Sequence, residues 1–376
     1  LPKQKTSSGK KAPGTGKLIF AASRQSADLL YASGLNAPDP FVWFSAPGIK
    51  AVVVSRLEYD RAVGECKKGV KVLGIEDFFP PSATAFPAGE LLRLIAERHS
   101  VGKWIVPPDF PLSRADALRA AGIDVECAQG DFIPERRFKT ARELERIKES
   151  LSVAQTVMTT VKSILAEAKV DKHGRLVHSG LPLTSETLKR QASIAAASLC
   201  CTVSDIIIAC GPHGAEPHNT GGGPVHAGQP IVVDIFPHNP GTGYWGDLTR
   251  TFVKGKAPET VRRAHKAVLE ANLLAKKMAA PGVKAAGLHT AVSKFFDRRG
   301  FKRDRVNGKN RGFIHSLGHG LGLEIHENPR LSPISRDILA EGDVFTIEPG
   351  LYYPEWGGIR IEDVAAIKDG TLHVLT

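Results

Sequence analysis

At 376 residues the chain is long for one compact core, and two domains are expected. Its 42% hydrophobic and 24% charged residues describe an ordinary globular protein, and no run approaches the roughly eighteen uninterrupted apolar residues of a membrane span, so a helical membrane protein is excluded as the expectation. The net charge of +11 raises nucleic acid as a partner, but five of those charges (Lys3, Lys5, Lys10, Lys11 and Lys17) lie in an acid-free N-terminal stretch, and the other basic residues lack aromatic interleaving or a recognition-helix pattern. Residues 1–16 therefore read as a basic, solvated tail. From "KLIFAA" at 17, apolar runs alternate with helical patterns. "FVWFS" (41–45) and "IKAVVVS" (49–55) are predicted strands around the turn Ala46-Pro47-Gly48. "ELLRLIAERH" (90–99) and "RADALRAAG" (114–122) are predicted helices, with "KWIVPP" (103–108) as a strand between them. Residues 17–134 are thus an α/β domain without concentrated chemistry.

Near Pro134 the texture changes, and a second domain is expected over 135–376. Leu144, Ile147, Leu151, Ala154 and Val157 recur at helical spacing, behind a capping box of Thr140 and Glu143. Helical stretches at 140–168 and 185–199 lead to the apolar strands "DIIIAC", "PIVVDIF" and "DLTRTFV". Helical stretches at 258–279 and 284–299 then lead to "DVFTIEPGLYY" and "GGIRIEDVAAI", strands that bear carboxylates. This repeated order, without repeated residues, implies two α/β halves around a shared cleft. Cys66, Cys127, Cys200, Cys201 and Cys210 have no paired metal-ligand spacing, and they read as reduced, mostly buried thiols of a cytoplasmic protein.

The chemistry lies in the second domain. Asp234 interrupts "IVVDIF", and Glu348 ends "VFTIE"; burying either acid costs several kcal/mol unless it is paired, hydrogen-bonded or bound to a metal. Each run turns and returns with another acid, Asp247 and Glu362, and in a hairpin Asp234 and Asp247 can face each other on neighbouring strands. Four acids need a counter-charge. Arg250 and Arg360 are nearby, but one or two divalent cations answer the need more economically. Asp247 alone reads equally well as a cap, and Glu362 alone as an exposed strand residue. "HSLGHGLGLEIHENP" (315–329) adds His315, His319 and His326. His315 and His319 have the spacing of a helical zinc pair, but Gly318, Gly320 and Gly322 each cost a helix about 1 kcal/mol, so a strand or loop whose glycines let the backbone pass close to a ligand is expected. No βαβ unit surrounds the GHGLG run, which argues against a phosphate cradle.

Taken in order, VVDIF…GDLTRTF, HSLGHGLGLEIHE, FTIEPGLY and GGIRIEDV resemble the M24 metallopeptidases, in their Xaa-Pro aminopeptidase and prolidase branch. "LLYASGLNAPDPFVWF" and "FKTARELERIK" resemble that branch's creatinase-like N-terminal domain and the start of its catalytic domain. The resemblance spans about residues 17–376 and implies a pita-bread catalytic domain with pseudo-twofold halves. It implies two divalent metal ions: Asp234 on one, His319 and Glu348 on the other, and Asp247 and Glu362 bridging both. One nitrogen among oxygen donors suits Mn²⁺, placed first, or Co²⁺, Zn²⁺ or Fe²⁺. The implied reaction is hydrolysis of Xaa-Pro bonds in short proline-containing peptides by a metal-activated hydroxide. His326 would donate to the oxygen that becomes charged, His218 would contact the scissile amide and its leaving nitrogen, and Glu348 would exchange protons with the water. Tyr352 and Arg360 would orient carboxylates and intermediates, and His315 would line the leaving-group pocket. A homodimer is also implied, with no nucleic-acid or membrane partner. His213, His226 and His238 are read as structural.

One departure stands out. Twelve residues separate Asp234 from Asp247, two more than is common in the family, and the surplus falls in the turn "PHNPGTGYWG". Two other readings compete: another metal-dependent hydrolase or lyase on the same scaffold, and a non-catalytic pita-bread module that binds proteins. The latter type has lost ligands that are all present here.

Overall fold

The computed structural model describes residues 14–376, which divide into two compact units between Arg136 and Arg137. Residues 1–13 of the expected tail lie outside the described residues. Residues 14–16, also assigned to it, instead open the first strand. Gly14 pairs with Val101, and a side chain on Gly16 would come within 2.8 Å of the Ser45 carbonyl, so the short glycine-rich run joins the sheet where a larger residue could not.

The first unit runs β1 (Gly14–Ala21), α1 (Ala27–Ser33), β2 (Phe41–Ala46), β3 (Ile49–Val54), α2 (Arg56–Glu65), β4 (Lys71–Gly74), α3 (Ala88–Arg98), β5 (Val101–Val106), α4 (Leu112–Ala120) and β6 (Asp124–Cys127). Its six strands lie in the order β4-β3-β2-β1-β5-β6, antiparallel across β1, β2 and β3 and parallel elsewhere. Alternation along β2 splits the core: Val42 and Phe44 pack with Leu91 and Ile95 of α3, whereas Phe41 and Trp43 pack with Leu29 of α1 and Ala62 of α2. Helices therefore cover both faces.

The second unit opens with α5 (Ala141–Glu167), capped as the sequence indicates: Thr140 Oγ1 accepts from the Glu143 N–H, and the Glu143 carboxylate accepts from the Thr140 N–H. A small sheet of β7 (Lys169–Val170), β8 (Leu176–His178) and β9 (Leu181–Pro182) follows, then α6 (Ser185–Ser198) and the sheet of β10 (Ile207–Cys210), β11 (Ile231–Ile235) and β12 (Leu248–Phe252). The second half repeats the plan with α7 (Glu259–Met278) and α8 (Ala285–Arg298), a hairpin of β13 (Asp304–Val306) and β14 (Lys309–Arg311), then β15 (Gly318–Gly320), β16 (Glu327–Leu331), β17 (Val344–Ile347), β18 (Gly350–Tyr353), β19 (Gly357–Arg360), β20 (Asp363–Lys368) and β21 (Thr371–Val374). Strands β16-β15-β17-β20-β21 form one sheet, and β18 and β19 form a separate ribbon. Each half has its own core. Val157, Val161 and Leu188 pack on Ile208 and Val233 in the first, and Val268, Leu288 and Val292 pack near Phe345 and Ile347 in the second.

The segments 343–353 and 357–368 each form two strands with a short break between them. The breaks fall at Glu348-Pro349 and at Ile361-Glu362, and they lie side by side. Pro349 has no N–H to give a ladder, and both acids turn away from regular pairing at that point.

Candidate metal and active site

The two sheets present their acids by the same device. In β11, Asp234 is paired with Ile207 on one side and Thr249 on the other, and Asp247 immediately precedes β12. The acids are therefore diagonal neighbours on one face rather than directly opposed. In the second half Ile347 pairs with Asp363, and extending that register by one residue sets Glu348 against Glu362. Thr249 joins the halves, because its hydroxyl donates to Glu362 Oε2 at 2.6 Å and its carbonyl accepts from the Glu362 N–H at 3.1 Å.

His319 lies in β15, which is a strand and not a helix. The expectation that its glycines free space for a ligand is corrected, since side chains on Gly318 and Gly320 would run into the backbone of Thr346 and Asn328. The glycines admit neighbouring strands. His319 Nδ1 donates to the Gly320 carbonyl at 3.1 Å. In the neutral ring Nε2 is then an acceptor, yet it lies 3.3 Å from Glu348 Oε1 and 3.7 Å from Asp247 Oδ2.

Arg360 reaches into the cluster like a fork. Its Nη2 lies 2.5 Å from Asp234 Oδ2, its Nε donates to Thr249 Oγ1 at 3.2 Å, and its Nη1 donates to the Tyr352 hydroxyl at 2.9 Å. Tyr352 in turn lies 2.9 Å from His315 Nε2, while His315 Nδ1 faces the Ser316 carbonyl at 2.7 Å. These partners fix the proton on Nδ1 and make the tyrosine the donor to Nε2. Burial agrees, pushing His315 down to about 4 and Tyr352 up to about 12. The other arginine weighed as counter-charge, Arg250, instead pairs with Asp363 at 2.7 Å.

Burial, followed by the neighbouring acids, raises Asp247 and Glu362 well above the usual carboxylate range. Burial also raises Asp234, against the opposing pull of Arg360. Glu348 goes the other way: burial pushes it up, but hydrogen bonding and charge from His319 in its protonated form prevail and bring it to about 2. His326 stands edge-on to His319 with ring centroids 4.3 Å apart, and desolvation and His319 hold it down to about 4 while it still presents surface to the pocket.

Asp234, Asp247, His315, His319, His326, Glu348, Arg360 and Glu362 line one cavity of about 510 Å³, together with His218, Arg330, Phe236, Ile325 and Ile207. His213, His226 and His238 are not part of its wall. Arg330, Phe236 and Thr249 carried no local signal in the sequence; only the pairing of β15 with β16 and of β11 with β12 brings their neighbourhoods to the site.

The residues fit divalent cations. Asp247, His319 and Glu362 are buried, and each offers a donor atom within 4.8 Å of the others. Asp234 Oδ1 is buried without a hydrogen-bond partner, and His319 Nε2 faces carboxylates that give it no proton. A cation resolves both, and a set of oxygens with one imidazole suits the harder transition metals.

A two-lobed α/β domain that gathers acids and a histidine at its centre defines a class of metal-dependent hydrolases. The model of metallopeptidase family M24 matches residues 145–369, and the chain belongs to that family. Among curated relatives, it is 33% identical over 245 residues to the Xaa-Pro dipeptidase of Pyrococcus furiosus, covering 64% of this chain and 63% of that protein. It is 39% identical over 171 residues to a putative Xaa-Pro aminopeptidase of Mycoplasma pneumoniae, covering 44% and 45%. The matched segments thus span less than two thirds of the length of these relatives. In three dimensions the chain is similar to the prolidase from Pyrococcus furiosus, with a TM-score of 0.78, 26% identity and 96% of each chain covered. The X-Pro aminopeptidase from Thermotoga maritima superimposes with a TM-score of 0.79 at 23% identity, covering 96% of this chain and 95% of that one, and supports the fold. The architecture is an N-terminal α/β domain followed by a pita-bread domain.

Proposed function

We propose that the protein hydrolyses the Xaa-Pro bond of short peptides, using divalent metal ions held by Asp234, Asp247, His319, Glu348 and Glu362. The observation that carries this reading is the convergence of four acids and the Nε2 of His319 on one cavity where Asp234 Oδ1 has no partner. Ions in that position supply Lewis acidity and an acidified water near neutral pH. Arg360 holds Asp234 in place through one oxygen and leaves the other free to coordinate. Glu348, anchored by the Thr346 hydroxyl at 3.2 Å, is the base that takes and returns the proton of the attacking water.

His326, with no ion pair of its own among the described residues, donates to the carbonyl oxygen as it gains charge; losing such a donor costs about 10²–10³ in kcat. His218 lies on the same wall and serves the departing prolyl nitrogen, which leaves poorly unless it is protonated. Phe236, Ile325 and Ile207 give the ring an apolar surface, and His315, kept neutral and oriented by Tyr352, lines the leaving-group side.

Manganese is placed first among Mn²⁺, Co²⁺, Zn²⁺ and Fe²⁺, and a homodimer in the cytoplasm completes the reading. Five free thiols suit a reducing compartment. The intact donor set supports an enzyme over a non-catalytic binding module. The test is a panel of Xaa-Pro dipeptides and Xaa-Pro-Ala tripeptides beside Xaa-Ala controls, each with added Mn²⁺, Co²⁺, Zn²⁺ or Fe²⁺. Cleavage of the proline peptides alone is expected, and turnover of none of them sinks the proposal.

A further inference from the structure

Lys139 precedes α5, far in sequence from every residue of the cavity, yet its side chain is only 2% exposed. Its Nζ lies 2.8 Å from Glu327 Oε2, and the Glu327 side chain is 6% exposed. The other oxygen, Glu327 Oε1, accepts from the Glu324 N–H at 3.0 Å. A side chain on Gly322 would come within 2.6 Å of the same carboxylate, so the segment 322–327 is folded tightly around it. His326 rides on this segment directly before Glu327 and is thereby set against His319. Lys139 is itself pinned, its N–H donating to the Gly342 carbonyl at 2.8 Å and its Nζ to the Arg137 carbonyl at 3.3 Å.

We propose that Lys139 is a positioning residue: through Glu327 it fixes segment 321–327 and so aims His326 into the cavity. The physical case is that a carboxylate this buried keeps its place only with a matched cation. With Lys139 absent, Glu327 either moves toward water or releases the Glu324 N–H, and both displace His326. Lys139 touches neither the cavity nor any metal donor, so its loss acts on the orientation of a catalytic group and not on metal affinity. The proposal rests on the Xaa-Pro hydrolase reading for its kinetic part alone.

The test compares wild type, Lys139→Met, Lys139→Arg and the double variant Lys139→Met/Glu327→Gln. For each, kcat and KM on an Xaa-Pro substrate, bound metal, and amide hydrogen exchange in residues 321–327 are measured. Lys139→Met is expected to lower kcat by about 10–100-fold at little-changed KM and metal content, with faster exchange in 321–327. Lys139→Arg, which can still donate to Glu327, is expected to recover most of kcat. A kcat within about threefold of wild type, a loss that tracks loss of metal, or unchanged exchange overturns the proposal. Should Lys139→Met fail to fold, the double variant leaves no unpaired buried charge and decides the matter: lowered kcat supports the proposal, and full kcat overturns it. If wild type cleaves no Xaa-Pro peptide, the functional reading has failed, and the exchange comparison still shows whether Lys139 holds the segment.

Discussion

Arg360 Nη2 approaches Asp234 Oδ2 to 2.5 Å, while Oδ1 of the same carboxylate is buried and unpartnered. One acid is thus half neutralised by the protein and half reserved. The three-point fork of Arg360 onto Asp234, Thr249 and Tyr352 cannot be reproduced by a single ammonium. Arg360→Lys is expected to lower metal affinity and kcat/KM by about 10–100-fold, read by metal titration and steady-state kinetics. Retention of both at wild-type levels would show that the fork is dispensable.

Asp247 and Glu362 give the metal-free protein a pH dependence. Their folded-state pKa values are raised, by burial and then by neighbouring acids, from 3.8 and 4.5. A raised folded pKa means that stability is present below the unfolded value and is lost as pH rises through the folded one. In chelator, Tm should therefore fall from about pH 4 toward neutrality, and less so in Glu362→Gln. Divalent metal should raise the wild-type Tm at neutral pH and shift the variant far less. Equal pH slopes in the two proteins would contradict the placement of Glu362 in the cluster.

Tyr352→Phe removes one atom from the middle of a chain. His315 Nε2 loses its donor, and Arg360 Nη1 keeps only the Pro217 carbonyl at 3.3 Å. Leaving buried polar groups unsatisfied costs about 1–3 kcal/mol each, so the urea midpoint should drop with an unchanged slope.

The thiols should sort by environment. Against the expectation of mostly buried thiols, Cys127 and Cys200 are exposed, and they should react with a thiol reagent promptly at pH 8. Cys201 and Cys210 are buried, and burial raises Cys66 to about 11, so these three should stay slow in the native state. Cys66 labelling should accelerate only as pH nears that value. More than two fast thiols would argue for local opening around the others.

Some of the site was open to reading in one dimension and some was not. Asp234 and Glu348 betray themselves because a charge among buried aliphatics demands an explanation, and the capping box of Thr140 and Glu143 is a local signal. Thr249 is different. Its worth lies in an accepted N–H and a donated hydroxyl to Glu362, 113 positions away, and nothing in "DLTRTF" marks that reach. Lys139 and Glu327 are likewise 188 positions apart, and only folding makes them a pair. The glycines of "GHGLG" were legible as a close approach, but not as to what approaches, since sheet neighbours and ligands both exclude a Cβ. The end of the run at Glu348 was legible, whereas the gap at Ile361-Glu362 that lies beside it shows only in the pairing register.

That gap has a consequence for how the chain can vary. Pairing Ile347 with Asp363 and Gly350 with Arg360 keeps one register through both interruptions, so the ribbon of β18 and β19 is an outgrowth of the sheet below it. Residues added at the far turn between Tyr353 and Gly357 lengthen a finger and leave the acids facing. A single residue added on one side of the break turns one acid to the wrong face. Lineages and engineers therefore have a free end and a forbidden middle. Loop grafting aimed at new substrates should begin at the turn.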